Sequence, residues 1–112
     1  MELNVALKRL SALAQEGRLA AFRLLVKAGH DGLPAGELAQ ALGVPSNTLS
    51  AQLAILANAG LVNSRRAGRS IIYSAHHDGM AELLAYLVDD CCQGRPELCA
   101  SLTGVANRAG RC

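Results

Sequence analysis

Aromatic residues are scarce in this sequence: it has no tryptophan, one phenylalanine and two tyrosines. The 51% of residues that are apolar must therefore form a core mainly from Leu, Ala, Ile and Val, as in small helical domains. A length of 112 residues fits a single domain of this kind.

Other absences exclude whole classes of protein. No apolar run reaches the about 18 residues of a membrane span, and Glu2, Lys8 and Arg9 interrupt the apolar positions that a signal peptide would need. We therefore expect a cytoplasmic protein with reduced thiols and no disulfide framework. The sequence shows no nucleophile–base arrangement, glycine-rich phosphate loop or paired carboxylates, so we expect no enzymatic activity. The net charge of +2 is small, so the position of the charges matters more than their sum.

Apolar residues at helical spacing predict two helices in the first 30 positions. The first helix carries Leu3, Leu7, Leu10 and Leu13. We expect Gly17 to separate it from the second helix, which should end at Gly29. The expected apolar face of this second helix consists of Leu19, Phe22, Leu25 and Val26.

Two shorter helical segments follow and are joined by a glycine-containing turn. The first should start at Pro34, where a missing N–H costs nothing, and should end at Gly43. Its inward-facing residues are Leu38 and Leu42. Ser46 or Asn47 is a suitable N-cap for the second, and Gly60 should end it. Its expected buried stripe is Leu49, Leu53 and Leu56.

A β-hairpin and a long helix complete the pattern. Residues 61–66 and 70–74 are expected to form two strands, with Ala67-Gly68 as the turn. The last helix should begin near Asp78, and its apolar stripe is unusually regular. The stripe consists of Met80, Leu83, Leu84, Leu87, Val88 and Cys91. Two short helices joined by a turn and followed by a hairpin predict a mainly α-helical winged helix-turn-helix.

The fourth helix and the hairpin carry residue types that bind DNA. In a helix-turn-helix, the second helix enters the major groove and its N-terminal residues meet base edges. Amide side chains can read adenine, hydroxyls can bind bases or phosphates, and a small alanine permits close approach. The candidates are Ser46, Asn47, Thr48, Ser50, Ala51 and Gln52. Around the hairpin tip, Arg65, Arg66 and Arg69 form a candidate phosphate-binding wing. A polar helix cap or a solvated basic turn would explain each feature alone, but not both together.

Three of the four cysteines lie within nine positions of one another. Cys91 and Cys92 end the long apolar stripe, and Cys99 follows a break at Gly94 and Pro96. Thiolates bind soft ions. In a continuous helix Cys92 and Cys99 would be about 10 Å apart, whereas sulfurs that share one ion lie within about 4 Å of each other. A shared site therefore requires the chain to fold back at the Gly/Pro break.

Several segments resemble the ArsR/SmtB family of metalloregulatory repressors. These are residues 17–25, 36–43, 46–53, 59–62 and 65–73, and the resemblance covers about residues 3–92. It implies a homodimer that pairs through its first and last helices and binds double-stranded operator DNA. The pattern Cys91-Cys92 followed by Cys99 resembles an arsenic-binding class of this family. That resemblance implies As(III) or Sb(III) as the inducer, held by these three thiols, with no organic cofactor.

Other possible ligands are less suited to a metal site. His76, His77 and Asp78 could offer half of the zinc site that the family has in its last helix, but no second pair of ligands follows at the required spacing. We therefore expect His76 and His77 to be capping or surface residues. Cys112 is expected to be a free thiol.

The sequence thus predicts residues 1–92 as a DNA-binding and dimerisation domain, and residues 93–112 as a C-terminal ligand-binding turn and tail. The leading hypothesis is a repressor that As(III) or Sb(III) releases from its operator. Two alternatives stay open. One is a thiol redox-sensing repressor, in which oxidation joins Cys99 to Cys91 or Cys92. The other is a constitutive architectural DNA-binding protein with incidental cysteines.

Overall fold

The computed structural model describes residues 1–88, which contain five α-helices and three β-strands. In chain order these are α1 (Leu3–Leu13), α2 (Glu16–Ala28), β1 (Leu33–Pro34), α3 (Ala35–Leu42), α4 (Ser46–Asn58), β2 (Val62–Ala67), β3 (Ser70–Ala75) and α5 (His77–Val88). The strands form one antiparallel sheet in the order β1–β3–β2. Helices α3 and α4 are the helix-turn-helix and β2–β3 is the wing, so the predicted fold class is confirmed. Within residues 1–88, no helix is long and apolar enough to cross a membrane.

The core forms around the apolar face of α4. Leu49, Leu53 and Leu56 recur at intervals of three and four residues and are fully buried, as predicted. They belong to one cluster with buried side chains from α2 and α3, including Leu25 and Leu38. Burying one leucine contributes about 1.5–3 kcal/mol. This cluster therefore fixes the orientation of α4 relative to α2 and α3.

The start of α4 differs from the sequence prediction. The N-cap position is Pro45, whose backbone is extended at φ −63° and ψ 150°, and no side chain caps the helix. Ser46 and Asn47 lie in the first helical turn, so the prediction that one of them is the N-cap is wrong. The ring of Pro45 already restricts its φ to a value suited to helix entry, and residue 46 can begin the helix directly. The Ser46 and Asn47 side chains are consequently exposed rather than used in capping.

The boundary between α1 and α2 lies earlier than predicted. Gly17 is in the first turn of α2 and does not separate the helices. The N-cap of α2 is Gln15, whose Oε1 accepts a hydrogen bond of 2.8 Å from the backbone N–H of Arg18. The buried face of α2 consists of Ala21, Phe22 and Leu25. Leu19 is exposed, so its predicted place on that face is wrong.

The sheet that contains the wing has one strand more than predicted. Strand β1 pairs with β3, placing Leu33 opposite Tyr73 and Pro34 opposite Ile72. The hairpin turn is Gly68-Arg69 rather than Ala67-Gly68, because Ala67 pairs with Ser70. Gly68 has φ +63°, and the two-residue turns that suit a hairpin need positive φ at their first central position.

Helices α1 and α5 each have an apolar stripe that residues 1–88 of the same protomer do not cover. Leu3, Leu7 and Leu10 are exposed on α1, whose buried side consists of Ala6, Arg9 and Ala12. On α5, Leu83 is buried, but the adjacent stripe of Leu84, Leu87 and Val88 is exposed. Leu3, Leu7, Leu84 and Leu87 each expose half or more of their surface. Exposed apolar surface of this kind marks an interaction site.

Candidate nucleic-acid interface

The first two turns of α4 present a polar surface. Leu49 is buried in the core, and its position fixes the rotation of the helix about its axis. Five of the six candidate base-reading residues are exposed: Ser46, Asn47, Thr48, Ser50 and Ala51. These side chains combine an amide, three hydroxyls and one small residue, which suits contact with base edges in a major groove.

The sixth candidate, Gln52, is placed differently from the other five. It is half-buried, and its amide packs against Gly17 in the first turn of α2. Its Oε1 atom is buried and has no hydrogen-bond partner among the described residues. The side chain therefore lies in the contact between α2 and α4, and not beside the exposed polar surface as expected. The reason is its position three residues after the buried Leu49, which turns it towards the core side.

The three arginines of the hairpin do not share one face. Residues that pair directly across antiparallel strands lie on the same face, and neighbours in a strand alternate. Arg65 pairs with Ile72 and Arg66 pairs with Ile71, so their side chains are on opposite faces of the sheet. Arg65 Nη2 donates a hydrogen bond of 3.0 Å to the carbonyl of Asp31, at the end of the turn that follows α2.

A groove joins the wing to the helix-turn-helix. Its volume is about 310 Å³. From the wing it is lined by Arg69, Ser70, Ile71 and Tyr73, and from the helical side by Pro34, Ala35, Gly36 and Ser50. Since Arg66 shares the face of Ile71, it lies on the groove side of the sheet. Among residues 1–88, no acidic side chain lines the groove, and the arginines and hydroxyls beside it suit a phosphodiester backbone. Sequence reasoning missed Ser70 and Tyr73, whose place depends on the register of the sheet.

The turn between α4 and β2 is held by residues from α1 and the start of α5. Arg9 Nε donates to the carbonyl of Ala59 at 2.8 Å. The Gly60 carbonyl lies 2.8 Å from His76 Nδ1, and the Leu61 carbonyl accepts from the His76 backbone N–H at 2.8 Å. Three consecutive carbonyls of this turn thus have partners on elements outside the helix-turn-helix. Arg9 was not singled out by sequence reasoning.

Some predicted site residues lie outside the described part of the chain. These are the proposed thiol ligands Cys91, Cys92 and Cys99, together with Cys112 and the domain boundary at residues 92 and 93. Within residues 1–88, no group of three or more His, Cys, Asp or Glu could hold a metal ion. The rings of His30 and His77 do approach each other, with centroids 4.5 Å apart and planes tilted by 49°.

Known proteins are similar to this chain in both sequence and fold. Residues 10–65 match the helix-turn-helix domain family. Over 75 residues the chain is 43% identical to the HTH-type transcriptional regulator NmtR of Mycobacterium tuberculosis, a match that covers 67% of this chain and 60% of NmtR. The chain spans about three fifths of the length of the curated relatives that it matches.

Two solved structures extend the comparison. HlyU from Vibrio cholerae is 35% identical with a TM-score of 0.61, and the match covers 78% of this chain and 97% of HlyU. The second is the homodimeric winged helix-turn-helix DNA-binding domain of Mb0332 from Mycobacterium bovis, described as a possible ArsR-family transcriptional regulator. It is 27% identical with a TM-score of 0.65, and the match covers 81% of this chain and 82% of that domain.

Proposed function

Since the chain belongs to the ArsR/SmtB family of winged helix-turn-helix transcriptional regulators, we propose that it is a homodimeric repressor whose operator binding is relieved by a trivalent metalloid. The observation that carries the DNA-binding part is the groove between α4 and the wing. Ser50 of α4 lines one border of this groove, beside the other exposed polar residues of that helix, and Arg69 of the wing lines the opposite border.

In this proposal the two borders of the groove have separate tasks. The exposed residues of α4, with Asn47 and Thr48 foremost, read base edges in the major groove. Arg66 and Arg69 bind phosphates and fix the register of the protein on the duplex. The net charge of the chain is only +2, but DNA binding depends on where the positive charge lies. The arginines of the wing concentrate that charge beside the reading surface.

We propose that the exposed stripes of α1 and α5 pair two copies of the chain. The leucines of these stripes would otherwise stay in water, and a second copy offers the same stripes in a self-complementary, two-fold arrangement. The homodimeric state of the Mb0332 domain, which has the same fold, supports this assignment. A two-fold dimer reads two half-sites about one helical turn apart.

For the inducer site we propose Cys91, Cys92 and Cys99, which bind As(III) or Sb(III) without an organic cofactor. The chemistry of the donor set supports the choice, because three soft thiolates suit a trivalent, three-coordinate metalloid. The thiols must be reduced, as they are in the cytoplasm. The first two cysteines follow directly on the exposed stripe of α5, so binding can alter the pairing of the two copies. A coupling of about 5–150-fold in operator affinity is typical of such a switch.

The test has two stages. The purified full-length chain first selects its operator from random-sequence duplex DNA, and the selected duplex is then titrated under full reductant with arsenite, antimonite and divalent metal ions. We expect arsenite or antimonite to weaken operator binding by at least about fivefold. Each of Cys91→Ser, Cys92→Ser and Cys99→Ser should remove this response and leave binding without inducer unchanged, whereas Cys112→Ser should keep it.

Three outcomes would contradict parts of the proposal. If all three serine variants still respond, the ligand assignment is wrong. If release requires an oxidant and does not occur with arsenite under reductant, the chain is a thiol redox sensor. If no selected sequence is preferred over random DNA and no ligand has an effect, the chain is an architectural DNA-binding protein.

A further inference from the structure

We propose that Arg9 is the positioning residue that sets the distance between the two reading helices of the dimer. The inference rests on the proposed function, because it requires a dimer that binds two half-sites. It starts from an unusual feature of α1: among residues 1–88, Arg9 is the one charged side chain that is buried.

The guanidinium of Arg9 joins three helices. Nε donates to the carbonyl of Ala59 at 2.8 Å, and Nη1 donates to the carbonyl of Gly79 at 2.7 Å. Ala59 is the C-cap of α4, and Gly79 lies in the first turn of α5. Nη1 also lies 3.4 Å from Glu82 Oε1. Thus one side chain from α1 ties the end of the reading helix to the start of the other stripe-bearing helix.

The contacts of Arg9 define the geometry of the elements that it joins. Its carboxylate partner, Glu82, lies at 3.4 Å and is 58% exposed, so that ion pair is screened by water. The positive charge is balanced chiefly by backbone carbonyls, one of them at the negative end of α4. Removing the guanidinium would leave the buried carbonyls of Ala59 and Gly79 without this donor, so Arg9 contributes to stability as well as to geometry. The planar guanidinium holds its donors in a fixed geometry, which defines the angle between the elements that it joins.

That angle matters because Arg9 contacts α4 at its C-terminal end. The 13 residues of α4 span roughly 20 Å at 1.5 Å per residue. The reading surface is at the far end of this helix, near Ser46. A rotation of α4, together with the core packed on it, by about 10° around Ala59 would move that end by roughly 3 Å, which is close to the rise of one base pair, about 3.4 Å. A small change in the angle set by Arg9 would therefore move the reading surface by about one base pair along the half-site.

Arg9 also lies on the side of α1 that faces away from the exposed stripe. Leu7 and Leu10 are exposed, whereas Arg9 is buried with Ala6 and Ala12. One side of α1 is therefore available to the second copy, and the other side holds α4. With α1 at the dimer axis, the Arg9 contacts form a direct link from that axis to the reading helix.

The experiment measures how operator binding depends on half-site spacing. The operator selected by the wild type is remade with one or two base pairs added to or removed from its centre, and each duplex is titrated with wild type, Arg9→Met and Arg9→Lys. We expect the wild type to bind its own spacing at least about tenfold more tightly than any altered spacing. Arg9→Met should reduce that preference to about threefold or less, whereas Arg9→Lys, which keeps the charge but has its donors on a single rotatable nitrogen, should be intermediate.

Two matched controls separate positioning from charge. Lys8→Met removes one positive charge from an exposed neighbour on α1, and Glu82→Gln removes the exposed carboxylate and leaves the carbonyl contacts in place. Both should keep the wild-type spacing preference. Sedimentation velocity checks that every variant is a dimer, so a lost preference cannot come from lost dimerisation.

Equal spacing preference in wild type and Arg9→Met overturns the inference. Should Arg9→Met fail to give a folded dimer, Arg9→Lys decides alone, and a wild-type preference in that variant has the same consequence. The proposed function fails independently if the wild type selects no operator or shows no spacing preference, which is measured before any variant is made.

Discussion

The amide of Gln52 occupies the space beside the Cα atom of Gly17, so closely that a β-carbon on residue 17 would collide with it. Helices α2 and α4 meet at this contact without any side chain on the α2 side. The obstacle is the end of a flexible side chain, and the buried Oε1 of Gln52 has no partner among the described residues. An unsatisfied buried acceptor costs about 1–3 kcal/mol, which offsets part of the cost of moving Gln52.

We therefore expect Gly17→Ala to displace Gln52 with little change in stability. Alanine favours the helix by about 1 kcal/mol over glycine, and the displaced amide of Gln52 can form hydrogen bonds with water. Amide-proton exchange of the Gln52 side chain, measured by NMR, should become faster than in the wild type. Unchanged exchange would show that other atoms move to accommodate the new methyl group and that Gln52 is not displaced.

A second close contact lies between the backbones of Gly79 and Gly60, and it should tolerate an added β-carbon far less well. A β-carbon on Gly79, in α5, would collide with the backbone carbonyl of Gly60. Neither atom is at the end of a flexible side chain, so Gly79→Ala should destabilise the protein by about 1–3 kcal/mol. Gly36→Ala is the matched control: this glycine lies in α3, and within residues 1–88 a β-carbon there would meet no atom within 4 Å apart from its chain neighbours and the backbone of its own helix. Alanine should stabilise this position by up to about 1 kcal/mol. Chemical denaturation measures both, and shifts of the same sign would contradict the packing argument.

Removing the proposed base-reading groups of α4 should reduce specific binding and leave the fold intact. Asn47→Ala and Thr48→Ala both change exposed side chains. We expect each to weaken binding to the selected operator by an amount within the about 1–3 kcal/mol typical of a base contact, with little effect on binding to random DNA. Asn58→Ala, an exposed change at the opposite end of α4, is the control. Equal losses for Asn58 and Asn47 would place the reading surface elsewhere.

The wing arginines should differ in their effect on salt dependence. Arg66→Ala and Arg69→Ala each remove a proposed phosphate contact, so the slope of log affinity against log salt should fall by about one for each. Arg65→Ala removes the same charge from the opposite face, where the side chain is bonded to the Asp31 carbonyl, and should change the slope less. Fluorescence anisotropy at several salt concentrations measures all three. A slope change for Arg65 equal to that for Arg66 would mean that both faces of the wing contact DNA.

A charge within the exposed stripes should separate the proposed dimer. Leu7→Glu on α1 and Leu84→Glu on α5 replace leucines that the protomer leaves exposed, so each subunit should stay folded. In the dimer the same change would bury two unpaired carboxylates, which is strongly unfavourable. Sedimentation velocity should show a monomer for both. Ile71→Glu, an equally exposed change on β3, is the control for oligomeric state and should stay dimeric.

Features that depend on residues close in sequence were predictable. The spacing of Leu49, Leu53 and Leu56 predicts both the helix and its buried face, and the exposure of Asn47 and Thr48 follows from the same rotation. The glycine after α3 ends that helix as predicted, since its effect is local.

Features that depend on distant residues were not predictable. Arg9 resembles any surface charge on an amphipathic helix until its carbonyl partners, 50 and 70 positions away, are known. Strand β1 has only two residues, and its pairing with β3 exists only after the chain has folded. A shift of the hairpin turn by one residue changes the cross-strand partners of Arg65 and Arg66. The sequence therefore does not show which of the two arginines faces the groove.

The pairing of β1 with β3 has a consequence for the entropy of binding. An isolated two-stranded hairpin is only marginally stable in water, whereas a third strand and packing against helices can hold it in one conformation. Leu33 and Pro34 supply that third strand at the base of the wing. The wing is thus ordered before any duplex arrives, and docking it does not require a further loss of backbone freedom. Association with DNA should therefore proceed as a rigid-body encounter, without folding of the wing on contact.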